Sequence, residues 1–181
     1  QKLAKDLGLQ DLADSYNGAA GTIRSAIQRS STDGVAGLYN TTDGDSNWWY
    51  YNRAVNLDGT PRTTVDSSSD VLFTYGVLDM ASKRAYNHYR KITATISRDG
   101  TGIARYQGDT FYTGKNSWDP GGAETLDDEP SWPQMTMWIA MMELNSGYHA
   151  LQERGYDRLQ WYVDRTALGY MPAGECVSNI T

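Results

Sequence analysis

The chain contains one cysteine, Cys176, and so forms no internal disulfide. That excludes a disulfide-stapled scaffold without fixing the compartment, since many secreted enzymes lack bridges. Histidine is nearly as scarce. His88 and His149 are far apart, and neither stands in a set of three or four ligand-type residues at ligand spacing. A zinc site needs three or four convergent ligands, so neither a metal nor a cofactor is expected. No apolar run approaches the roughly 18 residues of a membrane span. No cationic start leads into an apolar stretch, so no intact signal peptide is read. There is no phosphate loop of the P-loop form and no G-x-S-x-G elbow. Positive charge is also short: 16 Lys and Arg against 22 Asp and Glu leave a net charge of -6. That argues against a nucleic-acid partner, which needs a basic stripe. Phenylalanine occurs twice, beside 13 tyrosines and six tryptophans.

At 181 residues the chain is one domain or part of one. A compact chain of that size buries roughly 70% of its unfolded surface, enough for a core. Tyr and Trp in such excess over Phe suit surfaces that are half apolar and half wet, such as sugar clefts and interfaces. They equally suit half-buried positions where Tyr stands in for Phe. Two sequons occur, Asn40-Thr41-Thr42 and Asn179-Ile180-Thr181.

Helix-like runs alternate with polar loops. Gln1 to Leu9 reads as the end of one helix. Leu12 to Ile27 reads as the next, capped by Asp11, with Leu12, Tyr16, Ala19, Ala20, Ile23 and Ile27 on one face. Residues 33 to 64 carry turn signals at Asp43-Gly44, Asp58-Gly59 and Pro61. Within them, Asn47 to Arg53 reads as a short strand pair or an aromatic-laden loop. Ser67 to Ser69 starts a helix on which Val71, Leu72, Tyr75, Leu78 and Ala81 share a face. Another helix runs from about Lys83 to Ile96, opened near Ser82. A long loop, Thr113 to Pro130, contains Trp118 and the acidic run Asp127-Asp128-Glu129, read as a solvated segment. Pro130 and Ser131 open the strongest helix, with Pro133 in its first turn. Met135, Met137, Trp138, Ile139, Met141 and Met142 are read as its core residues, and Gly147 ends it. A last helix starts near Tyr148 or Asp157 and reaches Ala167. No strand set supports a central sheet, so the fold class is all-α, with loops gathered at one end of a helical scaffold.

Four segments, in order, resemble glycoside hydrolase family 15, the glucoamylase and glucodextranase family. Val65-Asp66-Ser67-Ser68 is similar to its "D-x-S" helix entry. The segment from Gly102 through Arg105-Tyr106-Gln107-Gly108-Asp109 to Tyr112 resembles its "R-Y-x-x-D-x-Y" element, the most specific match. Ser131-Trp132-Pro133-Gln134-Met135-Thr136 resembles its "W-P-x-x-T" helix start. Gly169 to Val177 resembles the "P-E-Q-V" loop, with Ala173-Gly174 inserted before Glu175 and Cys176 in place of Gln. The family's upstream "W-E-E" general-acid motif is missing, and residues 1 to 12 look like the helix just after it. The resemblance therefore implies the C-terminal part of an (α/α)6 barrel, about half its helices.

It also implies an inverting hydrolase that releases glucose from the non-reducing ends of α-glucans or oligosaccharides. Such an enzyme sets two carboxyl groups about 6.5–9.5 Å apart, one protonated at the leaving oxygen and one activating water. The resemblance makes Glu175 the general base. Taken without the resemblance, Glu175 reads as an exposed loop carboxylate. The resemblance assigns Arg105 to the non-reducing-end sugar, steadied by Asp109; a plain structural ion pair is the alternative. Trp132 and Tyr106 are candidate walls for a glucose ring, while Trp48, Trp49 and Trp118 read as packing. The alternative function is a non-catalytic carbohydrate-binding or regulatory domain of the same fold. An all-helical interaction domain with an aromatic surface is a third. Half a barrel would leave apolar helix faces open, so the remainder of the barrel or a second chain is an expected partner.

Overall fold

The computed structural model describes residues 1–31, 37–98, 100–109 and 131–167, and they are mainly helical. Helix α1 (Lys2–Asp6) turns through Gly8 into α2 (Gln10–Gln28). The cap expected at Asp11 is displaced: Leu9 holds the cap position, and Asp11 falls in the first turn. A carboxylate there still opposes the positive end of the helix dipole. The spaced apolar face of α2 forms, but it looks outward. Leu12, Tyr16 and Ile23 are exposed, as are Leu3, Leu7 and Leu9, and only Ala13 of α2 is buried. Ile27, at the far end, packs on the core.

Asn47 to Arg53 supplies a single short strand, and its partner lies outside that stretch. Strand β1 (Tyr39–Asn40) pairs antiparallel with β2 (Tyr50–Tyr51), with Tyr39 opposite Tyr51. Strands β3 (Ala54–Val55) and β4 (Pro61–Arg62) form a hairpin. Between β1 and β2, Asp45 accepts the Asn47 N–H and caps a 3-10 turn over Ser46–Trp48. Asn40 of the first sequon is buried. Its amide donates to Asn52 and its carbonyl accepts from the Thr42 N–H and hydroxyl, so it is a structural residue.

The helix expected from Ser67 to Ala81 is a correction. A 3-10 turn (Ser67–Asp70), capped by Asp66 accepting from the Ser68 N–H, leads into a single α-turn, α3 (Val71–Thr74). Gly76, at φ +70°, ends it, because that left-handed conformation is open to Gly and terminates the helical ladder. Phe73 and Leu78 still reach the core, but Tyr75 and Ala81 face solvent.

Helix α4 (Lys83–Ile96) begins as expected, with the Ser82 hydroxyl accepting the Ala85 N–H. Ala85, His88, Tyr89, Ile92 and Ile96 form its buried face at helical spacing. Strands β5 (Ser97–Arg98) and β6 (Gly102–Ile103) then form a third hairpin. Helix α5 (Pro133–Leu144) buries Met135, Ile139 and Met142, whereas Met141 is exposed and is not core. A short link through Gly147 joins it to α6 (His149–Ala167), and the two form the most extensive helix pair. Inside that pair, Arg158 Nε donates to Glu143 Oε2 at 2.8 Å and Tyr89 Oη to Glu143 Oε1 at 2.9 Å. The core spans Tyr51, Phe73, Ile92, Ile96, Ile103 and Ile139, all essentially inaccessible. Each large apolar side chain so buried contributes about 1.5–3 kcal/mol.

Candidate functional site

Three of the four resembling segments converge. The stretch 103–107 lies between 65–67 on one side and 131–132 on the other. Ser67 N–H donates to Arg105 O at 2.9 Å, and Gln107 N–H to Val65 O at 2.9 Å. Trp132 N–H donates to Ile103 O at 2.7 Å. The Ser67 hydroxyl reaches the Ala104 and Arg105 carbonyls. Thr136 is fully buried: its hydroxyl accepts the Ile103 N–H at 3.0 Å and donates to Trp132 O at 2.8 Å. Ser67, the middle residue of "D-x-S", and Thr136, the threonine of "W-P-x-x-T", are thus fasteners that align the arginine segment with the start of α5.

On that frame Arg105 and Asp109 form an ion pair, Nη2 to Oδ1 at 2.8 Å. The intervening turn passes through Gly108 at φ +81°, with Asp109 N–H donating to Tyr106 O. A positive φ at the third position of a turn favours Gly, which lets the carboxylate return to the guanidinium. Asp109 is fully buried, and its second oxygen, Oδ2, accepts from Trp132 Nε1 at 2.9 Å. The Arg105 guanidinium lies 4.8 Å from the Tyr106 ring centre and 4.6 Å from that of Trp132. Its side chain keeps 31% exposure. Burial works against its charge, but the hydrogen bond and charge of Asp109 outweigh that and hold its pKa above the ordinary value.

Two further residues join the cluster. Arg53 Nε lies 3.1 Å from the buried Asp66 Oδ2, and its guanidinium sits 4.5 Å from the Tyr106 ring centre. Arg53 was a bare member of the aromatic stretch in the sequence, and Asp66 read only as a helix entry. No spacing links residues 13 apart in a loop, so nothing in the sequence pointed to the pair. Arg53, Tyr106, Arg105 and Trp132 form a chain of cation–ring contacts with two partly open guanidiniums. Such a surface offers planar fork-like donors and aromatic faces together, which suits a polyhydroxylated ring. Both carboxylates of the described cluster, Asp66 and Asp109, are already engaged by arginines.

Glu175 lies outside the described residues, as do Trp118, Asp127 to Glu129, Cys176 and the second sequon. Trp49 packs edge-on against Tyr39 at 6.1 Å, and Trp48 is covered by Arg90.

A second titratable group sits behind the cluster. His88 Nε2 lies 3.1 Å from Asp70 Oδ1, both wholly buried, and His88 Nδ1 accepts the Tyr51 N–H at 3.2 Å. The backbone N–H thereby places the imidazole proton on Nε2, facing the carboxylate. Wholly buried, with Nδ1 holding a backbone N–H and Nε2 facing a carboxylate, His88 is a core residue. Burial pushes the Asp70 carboxyl above its usual range, and the neighbouring His88 opposes that only in part. His149, the other histidine, is exposed on α6. Among the described residues no helix is long and apolar enough to cross a membrane.

Comparison of the chain with protein-family models, curated proteins and solved structures gives no match.

Proposed function

We propose that the chain is the C-terminal part of an (α/α)6-barrel glycoside hydrolase that releases glucose from non-reducing ends of α-glucans with inversion. The observation that carries this reading is the Arg105–Asp109–Trp132–Tyr106 constellation, assembled from two of the segments that resemble one family and braced by a third. In it the Arg105 fork hydrogen-bonds vicinal sugar hydroxyls, and Asp109 and Trp132 fix its plane. Trp132 and Tyr106 supply faces for ring C–H groups. Glu175 serves as general base for the attacking water, and the general acid comes from a segment outside this chain. The remainder of the barrel, or a second chain, covers the outward face of α1 and α2.

A specific observation favours a second reading, a non-catalytic carbohydrate-binding domain. Each carboxylate of the described cluster is neutralised by a guanidinium, so neither is available as acid or base. The first test is binding of a glucose-type iminosugar, followed by glucose release from maltose, isomaltose and starch once the chain is joined to a general-acid segment. Release of β-glucose, followed by NMR, supports the inverting hydrolase, and Glu175→Gln should abolish it. Binding without release leaves the binding domain. No binding ends both readings.

A further inference from the structure

We propose that a groove between α4 and α6, separate from the Arg105 cluster, binds the phosphoryl group of a small molecule. The chain as a whole is acidic, yet α4 carries Lys83, Arg84, Arg90 and Lys91 and no Asp or Glu. Arg84 is used structurally, donating to Gln28 O and lying over the Tyr39 ring. Arg90 lines a groove of about 540 Å³ that Arg154 and Arg158 of α6 also line. Among the described residues no Asp or Glu lines that groove.

The three guanidiniums are not equivalent. Arg158 is buried and neutralised by Glu143, and it also donates to Thr101 O. Glu143 accepts the Tyr89 hydroxyl proton, which leaves the Tyr89 oxygen to accept from Arg154 Nη1 at 3.5 Å. Arg154 is therefore aimed by a neutral hydroxyl, and among the described residues no carboxylate is paired with it. Arg90 is braced over the Trp48 ring at 4.6 Å, with Lys91 Nζ 6.0 Å from the same ring. It too has no carboxylate partner among the described residues. Two oriented, uncompensated guanidiniums facing one groove attract a dianionic group, for which the arginine fork is shaped. Tyr86 and Trp48 provide aromatic walls for the rest of the ligand.

This site does not rest on the sugar reading. Its test is a titration of the whole chain with inorganic phosphate, glucose 6-phosphate and, as the uncharged control, glucose. Saturable phosphate or ester binding should weaken at least tenfold in Arg90→Gln and in Arg154→Gln, and less in Arg90→Lys and Arg154→Lys. Arg62→Gln, an exposed arginine on β4, should bind as the parent does. Circular dichroism checks that each variant is folded. Equal affinity for phosphate and ester assigns the site to the free anion; tighter ester binding assigns it to a phosphorylated sugar. The proposal is overturned if neither anion binds at 10 mM (about the weakest affinity of interest, near 3 kcal/mol), if glucose binds as well as its phosphate, or if both Gln variants bind normally.

Discussion

Arg105 is constrained on every side, by Asp109 through a 2.8 Å bond and by two aromatic rings across its plane. Lysine keeps the charge beside the buried carboxylate but loses the planar fork and the stacking. Arg105→Lys should therefore weaken iminosugar binding by about tenfold or more, about 1.4 kcal/mol, while the melting temperature moves little. A collapse in melting with normal binding by the folded fraction would instead make the pair a structural brace. Asp70 makes a prediction of opposite kind. Its folded pKa is raised by burial, so the folded state holds a proton that the unfolded chain has released between the ordinary and the raised value. Its contribution to stability thus falls as pH rises through that window. Asp70→Asn keeps the size and shape of the side chain beside His88 and cannot ionise. Its melting temperature relative to the parent should improve as pH rises through that window and lose that advantage on acidification back through it. A difference that does not change with pH would remove Asp70 as the titrating group.

The α5–α6 pair decides stability at the scale of elements. Gly155 sits inside α6, where a Cβ would meet Leu144 Cγ at 2.8 Å and the Ala140 carbonyl at 3.1 Å. Helix propensity alone makes Gly→Ala favourable by about 1 kcal/mol. Here the close approach should reverse the sign, and Gly155→Ala should destabilise by about 1–3 kcal/mol in urea unfolding. The Glu143–Arg158 pair lies in the same interface, wholly desolvated. Removing one partner, as in Glu143→Leu, should cost about 3–5 kcal/mol, whereas Glu143→Leu with Arg158→Met should recover most of it. If the double variant is no better than the single one, the bridge does more than neutralise its own burial.

For the whole molecule, the outward face of α1 and α2 is the telling feature. Leu3, Leu7, Leu9, Leu12, Tyr16 and Ile23 are all at least 43% exposed. So many large apolar side chains along one stretch form a surface that water does not favour. The 181-residue chain alone should self-associate and release no glucose, and Ile23→Lys with Leu12→Lys should reduce the association in sedimentation velocity. A monomer that melts cooperatively without any substitution would contradict this.

The residues themselves determined where most helices lie. Ser82 before a 3.6-residue apolar period placed α4, and Pro133 with Met135, Ile139 and Met142 placed α5, because capping and periodicity are local properties of the chain. The resemblance of four segments to one family also singled out Arg105, Asp109, Tyr106 and Trp132. Only the tertiary structure decided what those residues touch. Trp132 meets Asp109 across 23 positions of sequence, and Arg53 meets Tyr106 across 53. Both contacts depend on backbone bonds between distant segments, which no local pattern encodes. The same holds for α2, whose stripe was legible while its direction was not: periodicity tells which residues share a face, and only the presence or absence of a neighbour tells whether that face is buried.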